Sequence, residues 1–72
     1  MGKRSGQLSN QVRTLRTTLD LTQQQLADQV GVTRQTINAI EANKYSPSLE
    51  VAFRIARTLG APLEAVFGYD EA

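Results

Sequence analysis

Residues 22–41, TQQQLADQVGVTRQTINAIE, decide the fold of this chain. Thr22, followed three residues later by Gln25, forms a capping-box pattern that predicts the start of a helix. Gly31 can adopt the left-handed conformation that ends a helix, and Thr33 can cap a second helix two residues further on. Two short helices joined by such a tight turn predict a helix-turn-helix, whose second helix presents its first turn outward.

The second helix of this pair has an apolar inner face and a polar outer face. Ile37 and Ile40 must face the core because they lie three residues apart on one side of the helix. The outer face then carries four residues that we predict to contact DNA bases: Arg34, Gln35, Asn38 and Ala39. Arginine can donate two hydrogen bonds to guanine, and Gln or Asn can pair with adenine through two hydrogen bonds. We therefore expect the helix at residues 33–42 to enter the major groove.

The segment before this pair has the apolar spacing of an amphipathic helix. Four residues form one stripe at helical intervals: Leu8, Val12, Leu15 and Leu19. Asp20 then interrupts the pattern. At the other end of the pair, Asn43 is predicted to stop the second helix, because Asn tolerates the left-handed conformation better than most residues.

The segment after residue 43 predicts a fourth helix, which we expect to be the central and most buried one. Ser46 is the expected N-cap, with Pro47 at the first helical position, where its missing N–H is harmless. Gly60 ends the helix. Its apolar face is wide, which indicates that this helix is the most buried one of the domain. The face consists of Leu49, Ala52, Phe53, Ile55, Ala56 and Leu59.

Pro62 begins a short fifth helix, after which residues 66–69 can extend as a short strand. Five short helices with brief connections predict an all-α bundle built around the helix-turn-helix. We expect one DNA-binding domain over residues 7–69, preceded by a disordered segment at residues 1–6 and followed by an acidic tail at residues 70–72.

Composition excludes several classes of function. The 72 residues suffice for a single hydrophobic core. Because the chain has no Cys and no His, it cannot form disulfides, the usual zinc sites or a Ser-His triad. We therefore predict no enzyme, no metal and no cofactor. No apolar run approaches the roughly 20 residues of a membrane span, and no signal peptide follows the basic start. We expect a cytoplasmic protein with no membrane partner and no small-molecule substrate.

Charge is divided unevenly along the chain. Net charge is only +1, but residues before Gly60 hold eight basic and four acidic side chains, a formal charge of +4. The residues after Gly60 hold three acidic side chains and no basic one. A basic body with an acidic tail is typical of a protein that binds a polyanion on one side.

The sequence resembles the Cro/C1-type, or XRE, helix-turn-helix family. The motif TRQTIN-x-IE-x-NKY-x-PSL at residues 33–49 carries this likeness. The stretch NKYSPSLEVAFRIARTLGAPLEAVF at residues 43–67 resembles the short stand-alone, cytolysin-repressor-like subgroup. The likeness covers about residues 8–69. It implies a lambda-repressor-like fold and a non-enzymatic transcriptional repressor that binds double-stranded DNA.

The resemblance also assigns roles to individual residues. It places base contacts on the outer face described above, where Ala39 can offer only an apolar contact to a thymine methyl group. It places a phosphate contact on Gln23. We expect a second phosphate contact at Thr33, because the N-terminus of a helix can bind an anion. The loop that lies along the DNA backbone in the family falls on Asn43, Lys44, Tyr45 and Ser46. A structural ion pair falls on Arg16 and Glu41.

The small size of the domain further predicts a homodimer on a two-fold-symmetric operator. We expect the interface on four residues that a small bundle is unable to bury together: Leu63, Val66, Phe67 and Tyr69. The alternative function is an antitoxin or protein-docking module that uses the same fold. Such a module would present an apolar or acidic face, whereas the outer face here carries Arg, Gln and Asn.

Overall fold

The computed structural model describes residues 6–70, which form five helices between two short strands. The elements in chain order are β1 (Gln7–Asn10), α1 (Val12–Thr18), α2 (Gln23–Val30), α3 (Arg34–Glu41), α4 (Leu49–Leu59), α5 (Leu63–Val66) and β2 (Phe67–Asp70). The predicted five-helix fold is confirmed. The expected disordered segment and acidic tail lie outside the described residues, apart from Gly6 and Asp70, and Asp70 is the last residue of β2.

Local hydrogen bonds set the helix-turn-helix as the sequence predicts. The Thr22 hydroxyl accepts from the Gln25 N–H at 3.0 Å, and the Gln25 side chain accepts from the Thr22 N–H at 2.8 Å. Gly31 ends α2 at a φ of 90°, a conformation that favours glycine. The Thr33 hydroxyl then accepts from the Thr36 N–H at 3.1 Å and starts α3.

The core lies between α2, α3 and α4, with α1 and α5 closing its ends. Its buried side chains are Val12, Leu26, Ala27, Val30, Ile37, Ile40, Ile55, Ala56, Leu59 and Val66. Fully buried Ala27 is small enough for α2 and α3 to approach closely. Because Ile37 and Ile40 take the inner face of α3, its opposite face is left to solvent.

The N-terminal segment differs from the prediction at both ends of the proposed stripe. Leu8 lies in β1, which pairs antiparallel with β2 and places Leu8 opposite Tyr69. Helix α1 begins only at Val12, and the Gln11 N–H donates to the Val66 carbonyl at 2.8 Å. Leu19 follows the end of α1 and is 49% exposed. The spacing of apolar residues suggested a helix because it reports only on neighbouring residues. The partner strand of β1 lies some 60 residues away in the sequence, so local spacing gave no sign of the pairing.

Helix α4 begins later than expected, which corrects the prediction for Ser46 and Pro47. Ser48 is the N-cap, and its hydroxyl accepts from the Val51 N–H at 3.2 Å. Both serines suit the N-cap position, so composition alone did not separate them. The predicted inward face is also too wide, since Leu49 is 68% and Phe53 48% exposed. In a bundle of this size the core covers only the stripe of Ala52, Ile55, Ala56 and Leu59.

Within residues 6–70, no helix combines the length and apolar character needed to cross a membrane.

Candidate nucleic-acid interface

The outer face of α3 presents the four residues predicted to contact bases. Arg34, Gln35 and Asn38 are exposed, and Ala39 is half-buried. This arrangement follows from the burial of Ile37 and Ile40, which fixes the rotation of the helix. The structure thus brings these side chains together on one face of α3. Their contacts with bases remain a prediction.

The N-terminal ends of α2 and α3 offer backbone N–H groups to an anion. An α-helix supplies no internal acceptor for the N–H groups of its first turn, and its dipole favours negative charge there. The Thr33 hydroxyl is engaged within its own cap, since it also hydrogen-bonds the Thr36 hydroxyl at 3.0 Å. A phosphate at this helix end would therefore meet the N–H groups at the start of α3 more readily than the Thr33 hydroxyl.

Arg16 and Glu41, expected as an ion pair, lie in direct contact beneath this surface. Arg16 Nε donates to Glu41 Oε2 at 2.7 Å, and Arg16 Nη2 donates to Glu41 Oε1 at 3.1 Å. The two side chains are only 11% and 5% exposed. The hydrogen bond to Glu41 raises the pKa of Arg16 above its ordinary value, against the opposing effect of burial. The pair fixes the last residue of α3 to α1.

Gln23 lies between this ion pair and the outer face of α3. Its Nε2 donates to Glu41 Oε1 at 3.1 Å and to Asn38 Oδ1 at 3.3 Å. Both hydrogens of the amide are thereby used within the protein. A phosphate contact by Gln23, as the sequence predicts, would then come from the backbone N–H groups of the first turn of α2 or would break one of these bonds.

A polar hollow of about 300 Å³ opens between the first three helices. It is lined by Arg13, Arg16, Gln23, Asn38, Glu41 and Ala42. Arg13 is exposed at this hollow, beside the start of α2, and was not among the residues predicted to bind DNA. Its position on α1, outside the helix-turn-helix motif, explains why the motif gave no signal for it.

The loop after α3 presents all four of its predicted phosphate-contacting residues to solvent: Asn43, Lys44, Tyr45 and Ser46. Asn43 has a φ of 58°, which confirms it as the left-handed stop of the helix. The Asn43 N–H donates to the Ile40 carbonyl at 3.0 Å, and the Lys44 N–H donates to the Ala39 carbonyl at 2.9 Å. The loop backbone is therefore fixed to α3, while the Lys44 side chain is free to reach outward.

Asn10 supports the same loop, and sequence reasoning missed it. Its Nδ2 donates to the Ile40 carbonyl at 2.9 Å and to Asn43 Oδ1 at 3.0 Å. Its Oδ1 accepts from the Val12 N–H at 3.1 Å. An Asn just before a helix is a recognisable capping signal, but the contact with Ile40 spans 30 residues of sequence.

The predicted dimer surface is only partly available for association. Val66 is fully buried in the core, so its assignment to an interface is wrong. Leu63 and Phe67 are half-buried, and Tyr69 is 51% exposed. An apolar groove of about 340 Å³ passes here and is lined by Leu8, Pro47, Leu49, Ala52, Leu63 and Phe67.

Comparisons with known proteins agree with this geometry. A helix-turn-helix family model matches residues 12–66. An uncharacterised HTH-type transcriptional regulator from Methanothermobacter thermautotrophicus is 56% identical over 61 residues, which cover 83% of this chain and 88% of that protein. The cryptic phage CTXphi transcriptional repressor RstR from Vibrio cholerae is 36% identical over 55 residues, covering 76% of this chain and 50% of RstR.

The fold also matches a solved structure. The crystal structure of a candidate DNA-binding protein from Bacteroides fragilis superposes with a TM-score of 0.77 at 24% sequence identity. The match covers 85% of this chain and 98% of that protein. The chain thus belongs to the Cro/C1-type, or XRE, family of helix-turn-helix transcriptional regulators, which are DNA-binding proteins and not enzymes.

Proposed function

We propose that this regulator is a sequence-specific repressor that places α3 in the major groove of its operator. The observation that carries the proposal is the outer face of the eight-residue helix α3, from which the exposed side chains of Arg34, Gln35 and Asn38 project. These side chains hold the hydrogen-bond donors and acceptors that distinguish base pairs in the major groove. The likeness to RstR supports repression as the outcome of binding.

Phosphate contacts would hold the helix in register on the duplex. The starts of α2 and α3 supply backbone N–H groups, through Gln23 and Thr33, and the loop at residues 43–46 supplies Lys44 and Tyr45. These groups flank α3 at its beginning and its end. Such an arrangement lets the protein hold the DNA backbone on both sides of the bases that α3 contacts.

The proposed functional unit is a homodimer on a two-fold-symmetric operator. Helix α3 has eight residues and a length of about 12 Å, so one copy can contact only a few base pairs. A second copy related by a two-fold axis would place another α3 about 34 Å away, one turn along the duplex. The interface would use the exposed apolar side chains of Leu49 and Phe53 together with Leu63, Phe67 and Tyr69. The partner at this interface would be a second copy of the chain, because a two-fold-symmetric dimer doubles the number of DNA contacts.

A protein-docking role for the face of α3 is less favoured. That face is formed by a guanidinium and two amides, which suit base edges, and it carries no acidic side chain. The apolar groove lies on other elements, which leaves α3 unobstructed for DNA.

Selection from random double-stranded DNA, followed by footprinting, tests the proposal. We expect the wild-type protein to enrich one sequence and to protect two half-sites with centres about 34 Å apart. Arg57→Ala, which alters an exposed arginine of α4, is the control and should select the same sequence. A wild-type protein that enriches no sequence would contradict the proposed function. A single protected half-site would contradict the two-fold operator alone.

A further inference from the structure

Helix α3 ends in a turn with the hydrogen bonds of a Schellman motif. The Asn43 N–H donates to the Ile40 carbonyl at 3.0 Å. The Lys44 N–H donates to the Ala39 carbonyl at 2.9 Å. The left-handed position of this motif, which glycine usually occupies, is held by Asn43 with a φ of 58°. The direction in which the chain leaves α3 therefore depends on a conformation that suits asparagine less well than glycine.

Asn10 of β1 supports this turn from outside the helix. Its NH₂ group donates to the Ile40 carbonyl at 2.9 Å and to Asn43 Oδ1 at 3.0 Å. Within residues 6–70, the bond to Asn43 is the only side-chain hydrogen bond that reaches residues 43–46. If α3 continued, the Lys44 N–H would donate to the Ile40 carbonyl, which here accepts from Asn10 instead. Asn10 thus favours the observed end of α3 over a further helical turn.

These hydrogen bonds also determine which end of each amide faces its partner. Asn10 Oδ1 accepts from the Val12 N–H at 3.1 Å, so the NH₂ group of Asn10 faces α3 and the loop. An amide nitrogen can only donate, so Asn43 must turn its oxygen toward Asn10. The NH₂ group of Asn43 is then left for an acceptor outside the protein. The oxygens of a DNA phosphate are acceptors of this kind.

We propose that Asn10 is a positioning residue through which the terminal sheet holds the loop at residues 43–46 in place to bind a DNA phosphate. Asn10 acts without touching DNA: it orients the Asn43 amide and sets the direction in which the chain carries Lys44 away from α3. DNA affinity then depends on β1, a four-residue strand outside the helix-turn-helix. The proposal rests on the part of the proposed function that lays this loop along the duplex.

Asn10→Ser separates this role from the support that Asn10 gives to α1. A serine hydroxyl can still accept from the Val12 N–H, but it lacks the NH₂ group that reaches the end of α3. The variant should therefore unfold at a temperature close to that of the wild type while its loop loosens. NMR relaxation without DNA measures this effect. The order parameters of the Tyr45 and Ser46 N–H groups should fall toward about 0.6, the range of flexible backbone.

Binding to double-stranded DNA of random sequence measures the phosphate contacts, because these contacts carry no sequence information. Asn10→Ser should lower the affinity about two- to tenfold, the effect of about one lost hydrogen bond. The slope of log K against log salt should become shallower, by at most about one. In a Lys44→Ala background the same change should cost less, because both residues act on the same loop.

Gln7→Ser is the matched control, since it makes the same replacement at the exposed first residue of β1. It should leave the DNA affinity, the salt slope and the order parameters of the loop unchanged. Thermal unfolding shows whether each variant is folded. If Asn10→Ser does not fold, Asn10→Thr takes its place, because threonine also caps a helix and suits a strand.

Three results would overturn the proposal while the proposed function stands. The first is a loop in Asn10→Ser with the same order parameters as in the wild type. The second is an unchanged DNA affinity and salt slope. The third is full additivity with Lys44→Ala, which would place the effect of Asn10 outside the loop. A wild type that binds random DNA but enriches no sequence would instead overturn the proposed function alone, and one that binds no DNA would overturn both.

Discussion

Arg16 is buried beneath the proposed DNA-binding surface and connects the elements that form it. Nε and Nη2 bind Glu41, and Nη1 donates to the Leu21 carbonyl at 2.8 Å, so one guanidinium joins α1, the turn before α2 and the end of α3. Pairing raises the pKa of Arg16 in the folded state. A group whose pKa is higher in the folded state stabilises the fold fully at pH values below its pKa in the unfolded chain. This stabilisation is lost as the pH rises through the pKa of the folded state. The contribution of the Arg16 charge is therefore constant across neutral pH.

Removing Arg16 should destabilise the protein far more than removing an exposed arginine. Arg16→Ala leaves the Glu41 carboxylate, whose side chain is 5% exposed, without its counter-charge, and we expect a loss of about 3–5 kcal/mol in the free energy of unfolding. Arg54→Ala is the matched control, because Arg54 pairs with Glu50 at the same 2.7 Å distance but the two side chains are 53% and 73% exposed. This change should cost less than about 1 kcal/mol. Urea denaturation measures both, and equal losses would contradict the structural role of the buried pair.

Lys44 permits a second prediction at this scale, on the salt dependence of DNA binding. Lys44→Ala removes one positive charge from the exposed loop after α3. If Lys44 contacts a phosphate, the slope of log K against log salt should become shallower by roughly one, with all DNA sequences weakened alike. Binding titrations at several salt concentrations give the slope. Arg57→Ala, which removes an exposed positive charge from α4, should leave the slope unchanged, and a similar change for both variants would argue against a specific contact by Lys44.

At the scale of elements, the helix-turn-helix was predictable and the terminal sheet was not. Thr22, Gln25, Gly31 and Thr33 act on neighbours within a few residues, so their pattern in the sequence determines α2, the turn and α3. Strand β1 depends instead on pairing with β2 at the other end of the described chain. Its apolar spacing fits a helix equally well in isolation. The sequence therefore predicted an extended β2 region but placed Leu8 in a helix.

The same distinction applies to the candidate site. The positions of Arg34, Gln35 and Asn38 followed from helical spacing once Ile37 and Ile40 were assigned to the core. The hydrogen bonds of Gln23 and Asn10 join residues 15 to 33 positions apart. Such contacts depend on how the helices pack, which the pattern along one helix does not specify.

Asn10 tests whether the terminal sheet supports α3. Asn10→Ala removes a hydrogen bond to the Ile40 carbonyl of α3, one to the Asn43 side chain in the following loop and one from the Val12 N–H at the start of α1. We expect a loss of about 1–3 kcal/mol in the free energy of unfolding, chiefly because the Val12 N–H loses its acceptor, whereas the Ile40 carbonyl keeps the Asn43 N–H. Gln7→Ala, at an exposed position of the same strand, should change it by less than about 0.5 kcal/mol. Urea denaturation of both variants gives the comparison. If Asn10→Ala leaves the free energy of unfolding unchanged, β1 does not stabilise the position of α3.

For the whole molecule, three of the exposed large apolar residues lie on elements other than the helix-turn-helix: Leu49, Phe53 and Tyr69. Leu49 of α4 lines a groove that reaches Leu8 of β1 and Phe67 of β2, and Phe53 lies one helical turn after Leu49. A contiguous apolar surface of this kind typically marks a site of association. A dimer formed there would leave both copies of α3 available to DNA. In such a dimer the fourth helix would contribute through its N-terminal half, because its C-terminal end is buried at Leu59.

Phe53→Asp should convert the proposed dimer into a monomer. Phe53 is 48% exposed, so a charge at this position disrupts an interface without entering the core. Sedimentation at tens of micromolar compares wild type with this variant. Tyr45→Asp is the control, because Tyr45 is 53% exposed but lies on the loop after α3, and it should remain a dimer. A monomeric wild type, or a Phe53→Asp variant that dimerises as well as wild type, would contradict this interface.

The most direct test of the central claim is the affinity of Arg34→Ala and Gln35→Ala for the selected operator and for single-base variants of it. If α3 lies in the major groove, each change should cost about 1–3 kcal/mol and relax the preference at one operator position only. Both side chains are exposed, so unfolding temperatures should match that of the wild type. If both variants bind the operator with unchanged affinity and unchanged base preference, α3 is not the element that contacts the bases.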